Sequence, residues 1–169
     1  MQHLNSLQDL LVHELNDLYS VEQQLVVALP KMVNAATSLE LQDAFGQHLQ
    51  QTHQHVNRLE NIFADLGINK TGDECVAMKG LIKESEEAIR SMADTAVRDA
   101  ALIASAQRVE HYEMAAYGCA RTFADKLGYD EVAGLLQQTL NEEGDIDKKL
   151  TSIAEGSIFK TGINEKAMA

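Results

Sequence analysis

Four long stretches of this chain repeat their apolar residues at steps of three and four, and a single proline interrupts them. That step is the period of a helix face, and stretches this long leave little chain for strands. The first covers residues 6–36. Ser6 is placed to cap its opening turn, and Leu7, Leu11, Leu18, Leu25, Leu29 and Met32 form its stripe. Pro30 falls inside and is expected to kink the helix by freeing the carbonyl of Val26. The second opens at Thr37, which has capping-box spacing to Glu40, and closes at Gly67. Its stripe is Leu41, Phe45, Leu49, Thr52, Val56, Leu59, Ile62 and Leu66, and a helix of this span is roughly 40 Å long. The third covers residues 95–127 and stops at Gly128; the fourth covers 130–155 and stops at Gly156.

The connections decide how these helices are arranged. Tight turns join the first to the second and the third to the fourth, so each pair is an antiparallel hairpin. The hairpins are separated by about 25 residues, enough to cross the length of a bundle. Residues 73–92 of this connector are amphipathic, with Val76, Leu81, Ile82 and Ile89 on one side. The expected fold is therefore all-α: a ferritin-like four-helix bundle of two antiparallel hairpins, with a long crossover carrying a short extra helix. Residues 1–156 form the bundle and 157–169 a loose C-terminal tail. The halves also repeat. A shift of 91 positions lays Leu18 on Val109, Leu41 on Val132 and Phe45 on Leu136, and it lays Glu22 on Glu113.

Charge and cysteine content narrow the partners. The net charge of −12 repels a phosphate backbone, so no nucleic-acid partner is expected. No stretch approaches the roughly 18 to 20 apolar residues of a membrane span. The opening residues lack the basic start and apolar run of a signal peptide, which leads us to expect a cytoplasmic protein. Cys75 and Cys119 are too far apart for a two-cysteine metal or redox motif and are expected to be ordinary thiols.

Several acids fall where a core residue belongs. A carboxylate on the apolar stripe is costly to bury unless it is paired, protonated or bound to a metal. Glu22 sits beside Val21 and three before Leu25. Glu110 and Glu113 are spaced i, i+3 in line with Ala106 and Tyr117, and Glu143 and Asp147 are spaced i, i+4 between Thr139 and Leu150. Thr52 and His55 occupy the matching level of the second helix, with Gln51 at its edge. Counted from each hairpin turn, these levels meet near mid-bundle. Carboxylates converging there with a histidine are what a di-iron or di-manganese centre requires, with Glu22, His55, Glu110, Glu113, Glu143 and Asp147 as ligands. The plainer alternative makes Glu110 and Asp147 surface charges beside Arg108, Arg121, Lys148 and Lys149. It makes His48, His53 and His55 solvated or hydrogen-bonded core residues, and Tyr19, Tyr112 and Tyr117 packing residues.

The runs Asp17–Leu25, Cys75–Ile82, Arg98–Ala104, Val109–Glu113 and Thr139–Glu143 with Asp147 resemble the YciF-type bacterial stress-response family of ferritin-like proteins. The resemblance covers nearly the whole chain. It implies a homodimer, a cytoplasmic address, a link to stress response and kinship with bundles that hold two metals. By position Glu22, Glu110, Glu113, Glu143 and Asp147 match family acids. Helix two departs, because Gln50 and Gln51 stand where the family usually has two glutamates before Thr52. The Glu-x-x-His pair of ferritins is also absent, since Ile146 follows Glu143 by three. Two functions are thus expected to compete. One is an iron or manganese centre acting on oxygen or peroxide; the other is a metal-free structural or partner-binding helical dimer.

Overall fold

The computed structural model describes residues 4–91 and 95–168. Met92, the end of the expected connector helix, lies outside the described residues, as do the first three residues of the chain.

The four long helices form where the periodicity places them: α1 (Leu7–Ala35), α2 (Leu39–Leu66), α4 (Thr95–Lys126) and α5 (Asp130–Glu155), with α3 (Val76–Ser91) in the crossover. Ser6 caps α1 by accepting from the Asp9 amide at 3.0 Å, and α1 continues through Pro30. α1 packs on α2 and α4, α5 packs on α4 and α2, and α3 lies against α4 and α1. The result is the expected bundle of two hairpins with a helix-bearing crossover.

The turn between α1 and α2 is held differently from expectation. Thr37 and Glu40 form no capping box, and Ser38 at the N-cap makes no side-chain cap bond. Instead Asp99, near the start of α4, accepts from the Thr37 amide (2.8 Å), the Thr37 hydroxyl (2.7 Å) and the Ser38 amide (2.8 Å). A long-range carboxylate satisfies the orphan donors that a local glutamate was expected to reach.

The expected loose tail is a second correction. β1 (Gly156–Ser157) and β2 (Lys160–Thr161) form a small antiparallel hairpin, followed by the short helix α6 (Ile163–Lys166). A Cβ on Gly156 would lie 2.3 Å from the Lys160 carbonyl, and one on Gly162 would lie 2.4 Å from that of Ala154. Only glycine allows so close an approach. Lys160 pairs with Glu40, and Ile163 is buried in the core, which ties the segment down.

That core is split in two. One apolar cluster holds Leu11, Leu15 and Leu18 of α1, Leu59 and Ile62 of α2, Tyr117 and Ala120 of α4, and Val132 and Leu136 of α5. The other holds Val21, Leu25 and Leu29 of α1, Leu41 and Phe45 of α2, Leu102, Ala106 and Val109 of α4, and Ile146, Leu150 and Ile153 of α5. On every long helix the residues between the two clusters are polar and buried: Glu22; His48, Thr52 and His55; Glu110 and Glu113; Thr139 and Glu143.

Candidate metal centre

The polar layer is built one helix at a time. α1 supplies Glu22, and α4 supplies Glu110 and Glu113 one turn apart. α5 supplies Glu143, and α2 supplies His48 and His55 two turns apart. His48 Nε2 lies 3.3 Å from Glu110 Oε1, and its Nδ1 lies 4.0 Å from Glu143 Oε2. His55 Nδ1 lies 2.9 Å from Glu143 Oε1 and 3.4 Å from Glu22 Oε1. The 2.9 Å approach is an ion-pair distance, but its angle leaves neither atom hydrogen-bonded.

Donor atoms of His48, Glu110, Glu113 and Glu143 lie within 4.8 Å of one another, and so do those of Glu22, His55 and Glu143. Glu143 belongs to both groups, so two adjacent positions share one carboxylate. Each group could hold a metal ion.

Around these groups hydrogen bonding is incomplete. Both oxygens of Glu113 and Glu143, Oε2 of Glu22 and of Glu110, both nitrogens of His48 and Nδ1 of His55 are buried without a partner. Buried polar atoms are usually satisfied, and such a concentration in one layer sets it apart from the apolar clusters on either side. Carboxylate oxygens with imidazole nitrogens are a donor set that divalent cations accept.

The electrostatics fit a layer holding protons in place of cations. Burial first, and then the Glu143 charge, pushes Glu110 and Glu113 well above the usual carboxylate range. Burial likewise raises Glu22. Burial also pushes Glu143 upward, but contact with His55 and the field of His48 outweigh it and hold it low. For His55 burial is the largest single influence and acts downward, yet Glu143 and Glu22 together raise it to about 10. Burial lowers His48. Metal binding would displace the protons that these acids retain.

The surrounding residues orient the buried donors. His55 Nε2 lies 2.8 Å from Glu142 Oε2, which is also held by Arg58 Nη1 at 3.0 Å. With its outer nitrogen so engaged, the imidazole turns Nδ1 toward the layer. Tyr117 donates to Glu22 Oε1, leaving Oε2 as the unpartnered oxygen.

Glu22, His55, Glu110, Glu113 and Glu143 come together as the sequence led us to expect; Asp147 does not. It lies at the edge of the layer, accepting from Gln107 Nε2 at 3.2 Å and sitting 3.4 Å from His111 Nε2. One further turn along α5 carries its side chain past the buried level. His48, expected to be an ordinary core histidine, takes its place among the donors. The signal was in the sequence: Leu41, His48, His55 and Ile62 stand at steps of seven, and all are buried. Glu142 and Tyr117 were also missed as supporting residues, because nothing local distinguishes them from surface and packing positions. Gln50 is exposed, Gln51 is partly buried, and neither joins the groups. Cys75 is buried and Cys119 exposed; both are free thiols, and neither joins the groups.

Two helical hairpins closed around a layer of carboxylates and imidazoles define a ferritin-like carboxylate bundle. The chain belongs to the family described as "Domain of unknown function (DUF892)", which it matches over residues 6–167. It is 43% identical over 166 residues to protein YciF of Escherichia coli strain K12, covering 96% of this chain and 99% of that one. The crystal structure of the E. coli stress protein YciF superposes with a TM-score of 0.86 at 44% identity, covering 88% of this chain and 94% of that one. YcfI of Rhodopseudomonas palustris, whose description proposes a structural role, superposes at 0.88 with 42% identity, covering 90% and 98%. A Xanthomonas campestris protein at 20% identity and a TM-score of 0.70, covering 87% and 89%, shares the fold. The sequence resemblance to the YciF-type family therefore holds.

Proposed function

We propose that this chain is a stress-response metalloprotein that holds two iron or manganese ions between its helices and handles peroxide or oxygen. One observation carries the reading: two groups of buried donors, most of whose inward oxygens and nitrogens lack a hydrogen-bond partner, share Glu143. If the layer served structure alone, its acids should pair with Arg58 or Lys149, share protons or hold ordered water. Arg58 pairs with Glu142, and Lys149 donates to Gln47 at 2.6 Å. Among the described residues, no lysine or arginine forms an ion pair with Glu22, Glu110, Glu113 or Glu143.

Glu143 would bridge, His48 with Glu110 and Glu113 would complete one position, and His55 with Glu22 the other. When bound, the metals would supply redox and Lewis-acid chemistry toward peroxide. Glu142 fixes the His55 ring, Tyr117 fixes the Glu22 carboxylate, and the apolar clusters on either side keep bulk water out. The stress-protein description of the E. coli relative supports the biological setting. Two free thiols suit a reducing cytoplasm. Exposed Val27 on α1 and Val76 on α3 lie on surfaces that a second copy could cover, in keeping with a homodimer.

A metal-free structural dimer is the second reading, favoured by Gln50 and Gln51 and by the role proposed for the Rhodopseudomonas relative. Elemental analysis of protein purified without chelator separates the two. We expect stoichiometric metal in the wild type and its loss in Glu113→Ala. Substoichiometric metal in both would leave the structural reading standing.

A further inference from the structure

The buried layer has two flanks along α5, one closed by a carboxylate–guanidinium pair and the other carrying a carboxylate beside an imidazole. On one, the outward group is Glu142, already engaged by His55 Nε2, both Arg58 terminal nitrogens and Gln138 Nε2. Arg58 also donates to Thr139 at 2.5 Å, so a guanidinium stands across this flank and pairs with its carboxylate.

The other flank runs through Asp147. One turn beyond Glu143 on α5, Asp147 Oδ1 meets Gln107 Nε2 at 3.2 Å and His111 Nε2 at 3.4 Å. These two α4 residues bracket Glu110 in sequence, three before it and one after. The donors grade outward along this line. Glu113 and Glu143 have no exposure, Glu110 has 1%, the Asp147 side chain 19% and the His111 side chain 66%. Glu110 Oε2, at the inner end, is buried and unpartnered.

We infer that divalent cations reach the centre past His111 and Asp147, a carboxylate–imidazole step that passes them from solvent to Glu110 without keeping them. This rests on the metal-centre reading proposed above. An ion stripped of its water needs replacement oxygens and nitrogens at each depth, and a carboxylate at the mouth raises its local concentration. Gln107 divides its amide between Asp147, at 3.2 Å, and Thr151, at 2.9 Å.

The test is the rate of loading. Chelator-treated protein is mixed with Co²⁺ in a stopped-flow instrument and followed by the visible absorption of the bound ion. Asp147→Asn should load about tenfold more slowly, at the lower end of the range that a local field gives to on-rates. The number of ions finally bound and the end spectrum should match the wild type. Asp145→Asn removes the same charge from a side chain that is 75% exposed on the same helix, and it should load at the wild-type rate. The inference falls if Asp147→Asn loads as fast as wild type, or if both variants slow equally. It falls as well if Asp147→Asn binds fewer ions, which would make Asp147 a resident ligand. A wild-type chain that takes up no cobalt would overturn the centre itself, and the entrance with it.

Discussion

Glu113 has no exposed surface and no hydrogen-bond partner on either oxygen, so in the metal-free chain burial keeps it protonated. A buried polar group in that condition weakens the fold that contains it. Glu113→Leu should therefore raise metal-free stability by about 1–3 kcal/mol while abolishing metal uptake. Melting curves in chelator and in excess Mn²⁺ check both halves, and a destabilised variant would mean that the carboxyl has partners after all. His48 and His55 show how neighbours set a residue's state. Both are buried on one face of α2, yet His55, close to both Glu143 and Glu22, is raised to about 10, whereas burial leaves His48 lowered.

The α1–α2 turn depends on one distant side chain. Asp99 ties two backbone amides and a hydroxyl to the head of α4, and it is itself buried. Removing it leaves those donors unsatisfied and unlinks the two hairpins at that end. Asp99→Ala should cost about 2–4 kcal/mol, the sum of a lost cap and unmade charge-assisted bonds. Asp99→Asn, which keeps one acceptor oxygen, should lose less; urea unfolding measures both. If Asp99→Ala unfolded at the wild-type midpoint, the cap would be ornamental. The final segment is set by a similar remote constraint, because β1 and β2 pair only where Gly156 and Gly162 let the backbone approach.

At the scale of the whole molecule, the buried layer governs how stability follows pH. Folding raises Glu22, Glu110 and Glu113 above the ordinary 4.5, and His55 from 6.5 to about 10. Such groups contribute stability that is complete below their unfolded values and is lost as pH rises through the folded ones. Glu143 is lowered, so its contribution is present above the ordinary value and is lost as pH falls. Without metal the protein should be most stable near the ordinary carboxylate value of 4.5, with its melting temperature falling from pH 6 to pH 9. A flat profile over that window would argue against the protonated layer. Bound metal should reverse the trend, because cations compete with those protons and bind more tightly as pH rises. At a free metal concentration 100 times Kd, the gain of about 2.7 kcal/mol should raise the melting temperature by roughly 5–10 °C, and chelator should abolish it.

The sequence by itself determined the helices, most of their ends, their pairing into hairpins and the burial of Glu22, Glu113 and Glu143. Each of those follows from local spacing: a period of 3.6 identifies the face, and a short turn identifies the neighbour. Only the tertiary structure decided which buried polar groups meet. Spacing tells which way a side chain leaves its own helix, but not how far one helix is shifted or turned against the next. A shift of a single turn separates Glu143, inside the layer, from Asp147 at its edge, and the same unknown hid His48 among the donors. Asp99 as the cap of α2 and the seating of Ile163 were out of reach for the same reason, since both are contacts between segments that no local pattern relates.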